Sequence, residues 1–183
     1  MVGENGGAIT QSYASGIVDA AGTAGGLVGY HGGQVSNSYA IGAVSGGLAA
    51  GGFAGDISGE LNSSFSLGAV TSDCAGGFAG FYFSGNLTAS YWDMDTSGIA
   101  DPNRGACNVD DTPGITGLTD AQLKSTLPIG FDANFWGNRR ISTALSVSAR
   151  QPATVAPRTL PVAPNEKGRQ RRPLRSSQLL PNI

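Results

Sequence analysis

Residues 25–45, GGLVGYHGGQVSNSYAIGAVS, decide how this chain folds, because the stretch returns. One repeat further on it reads GGFAGDISGELNSSFSLGAVT (residues 51–71), and from Gly76 it reads GGFAGFYFSGNLTASYW. A version cut short at its front, VGENGGAITQSYASGIVD, occupies residues 2–19. Ile9, Val35, Leu61 and Leu87 are each 26 apart. Tyr13, Tyr39, Phe65 and Tyr91 keep that spacing, as do Ser12, Ser38, Ser64 and Ser90. One slip, an extra turn residue between Gly80 and Asn86, interrupts the register. A period of this length belongs to solenoids and related arrays, in which each repeat buries its apolar face only against its neighbours.

Inside a repeat the pattern is short and alternating, with glycine at the corners. Val35, Asn37, Tyr39 and Ile41 fall on one face, Ser36, Ser38 and Ala40 on the other. Stacking repeats one above another sets aliphatic on aliphatic and ring on ring. Leu27, Phe53 and Phe78 make a second ladder, and Val18, Val44 and Val70 a third. The fold expected is therefore all-β: a parallel β-solenoid of about three to four coils, with three short strands per coil. An antiparallel meander or sandwich also uses evenly spaced short strands, but identical residues at one fixed spacing favour parallel stacking. The expected core positions are Val35, Tyr39, Leu61, Phe65, Leu87, Tyr91, Leu27, Phe53 and Phe78. Glycines 7, 33, 59, 85, 16, 42 and 68 fall between strands, where corners favour positive φ. The constant serine beside the ring reads either as a hydroxyl ladder from coil to coil or as a small residue chosen for fit.

The repeat pattern stops after Tyr91. Residues 92–98, WDMDTSG, lead into a polar loop at 100–116, and then Thr119-Asp-Ala-Gln122 forms a capping box with Leu118 and Leu123 placed as a hydrophobic staple. That predicts one short helix near 120–126, ending before Pro128. Residues 1–91 thus read as solenoid and 92–137 as a C-terminal cap over the last coil. Residues 138–183 are rich in Pro, Arg, Ser and Ala without apolar period, and read as a disordered basic tail.

Charged residues are only 13% of the chain, and they are divided unevenly. Through residue 137 there are two basic side chains, Arg104 and Lys124, against twelve acidic ones; beyond it there are nine basic and one acidic. The opening MVG, set against GGLVG in the next repeat, reads as a start inside a coil, so a fragment is expected. Signal-peptide and membrane-spanning patterns are not visible in these residues. Cys74 and Cys107 are too few for a disulfide framework. They are open to two readings, one bridge tying the last coil to its cap or two free thiols.

The repeat resembles the GLUG motif, named for its Gly-Leu-any-Gly core, over roughly residues 2–137. The ending SYWDMDTSG, GLTDAQLK and FDANFWG is similar to the way such arrays close. The motif recurs in large secreted bacterial proteins, including filamentous-haemagglutinin-like adhesins, and in some immunoglobulin A-cleaving proteases. The resemblance implies a structural or adhesive segment, extracellular or at the cell surface, with no catalytic residues to carry over. Family chains usually continue past the FDANFWG-like segment into more ordered sequence. Here Asn138-Arg139-Arg140 begins an unrelated run, which points to a frameshift or missed joint near residue 137.

Little chemistry competes with that expectation. His31 occupies a repeat position held by Asn5 and Ile57 and reads as a variable turn residue; with no second histidine a His-based zinc site lacks support. β-Helices can carry paired carboxylates that flank a glycosidic bond, and the candidates are Asp93 with Asp95, and Asp56 with Glu60. The 101–111 loop, with Asp101, Asp110 and Asp111, offers hard oxygen ligands for calcium but lacks EF-hand or nonapeptide spacing. The run KGRQRRPLR has charge for a polyanion but no interleaved aromatic for stacking. The residues are expected to form no enzyme, with no catalytic, cofactor or metal residues, no nucleic acid partner and no membrane insertion. The expected partners are host or matrix glycans or proteins, met by an outward Ser/Thr/Asn/Ala ladder, and neighbouring coils of a larger parent protein. The alternatives are a carbohydrate-active β-helix using Asp93 and Asp95, or an ice-binding solenoid.

Overall fold

A computed structural model describes residues 1–137, and the tail expected at 138–183 lies outside the described residues. Strands from successive repeats pair parallel and in register, giving a β-solenoid of about four turns. Four sheets run along it, where three strands per coil were expected. Sheet A stacks Val2–Asn5, Val28–His31, Ala54–Ile57 and Ala79–Tyr82. Sheet B stacks Ala8–Thr10, Gln34–Ser36, Glu60–Ser66, Leu87–Asp93 and Ile115–Leu118, joined by Tyr13–Ala14 and Tyr39–Ala40. Sheet C holds Val18–Ala20, Val44–Gly46 and Val70–Thr71, and sheet D holds Thr23–Gly25, Ala49–Gly51 and Ala75–Gly76. The fourth sheet is made of Ala-Gly segments, whose lack of bulky alternating residues hides them in the sequence. Register shows two compensating slips: Val44 pairs with Val70, Ala50 with Ala75, and Leu61 with Leu87. A residue is thus dropped before sheet D and regained before sheet B.

Leu27, Phe53 and Phe78 fill the tube beside Val35, Leu61 and Leu87, all buried. The Phe53 and Phe78 rings stack at 4.8 Å and 7°, the spacing of adjacent strands. Val18, Val44 and Val70 form a smaller cluster at sheet C. These ladders are as expected; the Tyr39–Phe65–Tyr91 ladder is not. Gln11, Asn37, Ser63 and Ala89, equivalent in the four coils, all sit at φ between 49° and 52°. A left-handed residue inside a strand shifts the alternation by one. Val35 points inward before the kink, but Ser38 and Ala40, each 0% exposed, point inward after it. Tyr39, Ile41, Phe65 and Leu67 consequently face out. They build a second core with Leu123, Phe131 and Trp136, on the outside of the tube.

The inward serines account for the kink. Ser12, Ser38, Ser64 and Ser90 each donate their hydroxyl to the carbonyl two residues back, at 2.8, 2.9, 3.1 and 3.5 Å. The hydroxyl therefore bridges its own kink, and at Ser38 it also accepts from Ser12 N of the preceding coil at 3.2 Å, the one coil-to-coil contact of this kind seen among these serines. Among the corner glycines named from sequence, only Gly85 has positive φ (110°). Gly33, Gly42, Gly59 and Gly68 are needed for another reason: a Cβ at any of them would strike the backbone of the preceding coil.

The expected cap begins as another partial coil. Ile115–Leu118 adds a parallel strand to sheet B beside Leu87–Asp93, and Ala106 bridges to Ala79 in sheet A. Asn108 finishes that edge with its carboxamide, which accepts from Tyr82 N at 2.8 Å and donates to Tyr82 O at 2.9 Å. Cys74 and Cys107 are disulfide-bonded, with Cα atoms 5.4 Å apart. Trp92 plugs the lumen and is fully buried. Two helices follow from local chemistry. Met94–Ser97, a turn the sequence did not reveal, is capped by Asp93 and ends at Gly98 with φ 78°. Asp120–Ser125 has the expected capping box of Thr119 and Gln122. Residues 127–136 then run back along the outer ring ladder as a strap.

Candidate functional site

The outer face of sheet B ahead of the kink carries two rows of stacked side chains. Because Val35 and Leu61 point into the tube, the residues on either side of each point out. One row runs Ala8, Gln34, Glu60 and Asn86; the other runs Thr10, Ser36, Asn62 and Thr88. Between them lies an open groove of about 270 Å³ along the solenoid axis. Gln34 Nε2 donates to Glu60 Oε2 at 3.2 Å, tying neighbouring rungs of the first row. The groove offers amide and hydroxyl donors and acceptors at one rung per strand spacing, about 4.8 Å. This corrects the expected contact ladder: Ser36 belongs to it, whereas Ser38 and Ala40 are in the core.

The other sequence candidates separate. His31 is no turn residue. It is 0% exposed in sheet A, between Asn5 and Ile57. Gly7 N donates to Asn5 Oδ1 at 3.1 Å, which leaves the Asn5 amide nitrogen to donate to His31 Nδ1 at 3.1 Å. Nδ1 thus accepts, which assigns the ring proton to Nε2, and Nε2 donates to the Glu60 carbonyl at 3.0 Å. Burial holds His31 below its ordinary pKa, partly opposed by the Glu60 carbonyl. This is a neutral histidine joining the first coil to the second and third.

Asp93 and Asp95 are adjacent but do different work. Asp93 is 0% exposed and its Oδ1 accepts from Asp95 N at 2.9 Å and Thr96 N at 3.4 Å. Burial pushes its carboxyl above the usual range, while those amide bonds pull it down; nearby Asp120 adds to the rise. Asp95 Oδ2 accepts from Asp120 N at 2.8 Å, docking one helix on the other. Asp93 Oδ1 and Asp95 Oδ2 are taken up at helix ends, Asp93 Oδ2 is buried without a partner among the described residues, and a glycan chain has no access to the inner member. Asp56 and Glu60 lie on different sheets, A and B. In the 101–111 loop, Asp101 Oδ1 accepts from Asn103 N at 3.0 Å, a local turn. Among the described residues no three His, Cys, Asp or Glu side chains gather as metal ligands, and no helix is long and apolar enough to cross a membrane.

Comparison with protein-family models, with curated proteins and with solved structures found no match to this chain.

Proposed function

We propose that this chain is a non-enzymatic structural and adhesive segment of a secreted or surface-exposed bacterial protein, meeting host or matrix glycans or proteins through the groove of sheet B. The single observation that carries the reading is the pair of polar rows flanking that groove at a constant rung spacing. Each rung alone binds weakly. Several engaged by one extended ligand act as linked sites, so avidity grows without any strong contact. The parallel tube supplies the stiffness that keeps the rungs in line. The Cys74–Cys107 disulfide supports an oxidising compartment, consistent with export. The first coil, bonded on one side only, suits stacking against neighbouring coils of a larger parent protein.

The test is a glycan and matrix-protein array probed with the full chain, followed by calorimetry on each hit. Saturable binding that falls on changing Asn62→Ala and Gln34→Ala together supports the groove. Binding unmoved by that double change takes the contact off the groove, and no binding by a chain with an intact β spectrum removes the adhesive reading and leaves a spacer.

A further inference from the structure

The outer face of sheet A carries a ladder of different chemistry. Strand register places Glu4 beside Tyr30, Tyr30 beside Asp56, and Asp56 beside Phe81. Carboxylates therefore alternate with rings at about one strand spacing, 4.8 Å. Tyr30 is 41% exposed, and Phe83, 62% exposed, packs on Phe81 with centroids 5.9 Å apart. Asp56 stands between two ring-bearing strands. Its Oδ1 is shielded from water and has no hydrogen-bond partner among the described residues, and burial raises its pKa. A shielded acceptor without a donor is costly, and more so when charged. Among the described residues no hydrogen bond or ion pair draws on that carboxylate.

Asp56 as a whole is only half-buried, so a ligand meets the carboxylate at its other oxygen, and the chemistry of that ligand follows from the surroundings. A sugar could donate hydroxyls to Asp56 and to Glu4 and lie on a ring, but as a neutral ligand it would gain no charge attraction from either carboxylate. It would gain nothing either from a body holding twelve acidic and two basic side chains through residue 137. A guanidinium gains from all three. It is planar, stacks on aromatic faces, and donates in a fork that matches a carboxylate. We propose that Tyr30, Asp56 and Phe81 form a docking site for an arginine side chain of a basic peptide. The rings flank the guanidinium, Asp56 accepts from it, and Glu4 takes a second basic side chain two strands away. Two strand spacings are about 10 Å, which an extended peptide covers in about three residues. The preferred ligand is thus an extended segment with arginines three apart. The site is on a different sheet from the groove and stands whether or not the adhesive reading does.

The experiment titrates the full chain at low salt, by calorimetry, with an acetylated, amidated peptide Arg-Gly-Gly-Arg-Gly-Gly-Arg. Its all-glutamine counterpart and neutral cellohexaose serve as the other two probes. The arginine peptide binds saturably and the glutamine peptide does not. Asp56→Asn, which keeps the side-chain shape, weakens binding about tenfold or more, and Tyr30→Ala, at an exposed position, weakens it several-fold. Circular dichroism confirms that both variants are folded. Equal binding by the folded Asn variant means diffuse attraction to an acidic body and overturns the site. Cellohexaose binding that is lost in Tyr30→Ala but kept in Asp56→Asn makes the face a sugar platform and overturns it too. So does silence with the arginine peptide.

Discussion

Trp136 donates its indole N–H to the side-chain oxygen of Asn37, 3.2 Å away and 99 residues earlier in the chain. The bond joins the end of the strap to the left-handed residue that turned the ring ladder outward. Around it, the Trp136 ring packs on Phe131, Phe65 and Tyr39 at 4.8, 5.2 and 6.1 Å. Kink and strap are thus one device: the kink expels the rings from the tube, and the strap re-buries them. Tyr13, the ladder's first ring, stacks on Tyr39 at 5.2 Å yet remains 63% exposed.

Changes in this outer core should therefore strip the strap and leave the tube. Trp136→Ala deletes a side chain only 1% exposed and is expected to cost about 3–5 kcal/mol. Phe65→Asp places a charge against Phe131 and Trp136 and is expected to release residues 127–136 altogether. Near-ultraviolet circular dichroism should lose the Trp136 signal, while the far-ultraviolet β spectrum persists below the melting transition. Simultaneous loss of both would return Phe65 to the tube core.

The coil-to-coil contacts predict an opposite pattern of tolerance. Gly42 sits so close to Gly16 that a Cβ would strike its carbonyl oxygen. Gly42→Ala must push backbone apart, and a cost of about 1–3 kcal/mol is expected from overpacking. Ser36→Ala, on the outer row, is expected to stay within about 0.5 kcal/mol. Urea midpoints on the two variants check the contrast, and equal midpoints would mean that the coils can slide to absorb a methyl group.

Those cases show where the sequence is legible. The repeat spacing determines which residues stack, since the register at Ile9, Val35, Leu61 and Leu87 is just the spacing of identical residue types. It does not determine which way a residue faces once one φ changes sign. Asn37 is a plausible left-handed residue, but its equivalents Gln11, Ser63 and Ala89 give no such hint. Alternation read straight through the kink therefore misassigns Tyr39 and Ser38 alike. The buried role of His31 was hidden for a related reason, because its partner Asn5 looks like any other turn residue until Gly7 fixes its amide. The capping box at Thr119 was legible because its logic is local.

The disulfide closes a loop with 33 residues of separation and ties Ala75–Gly76 of sheet D to the partial coil that covers sheet A. Reduction is expected to cost roughly 3–4 kcal/mol on the chain-entropy account. The loss should fall first on the 101–118 segment, which hangs on few backbone bonds besides the Ile115–Leu118 strand. Hydrogen exchange with and without reductant checks this. Protection should drop at Phe78, Ala79 and Cys107, whose amides bond across this contact, while Leu61 and Phe65 stay protected. Uniform loss along the chain would make the covering segment part of one cooperative unit with the coils.

The last expectation concerns acid. His31 is the only histidine in the chain, and burial holds its folded pKa below the ordinary value of about 6.5. Below that value the unfolded chain takes up a proton that the folded chain refuses. Stability rises with pH wherever the unfolded state binds more protons, so it should fall as pH drops from 6.5 towards the folded pKa of His31. Asp93 and Asp56 have raised folded pKa values and act in the opposite sense. Their favourable contribution is complete below the usual Asp range and is lost as pH rises through their folded values, so it offsets part of the histidine effect only at the acid end. Urea midpoints at pH 7.5, 6.5 and 5.5 should decline for the parent chain, and His31→Gln should flatten that decline while lowering stability at pH 7.5. A decline of the same slope in the variant would mean that the acid-sensitive group lies elsewhere, and that Asn5 and Glu60 can hold a charged imidazole as well as a neutral one.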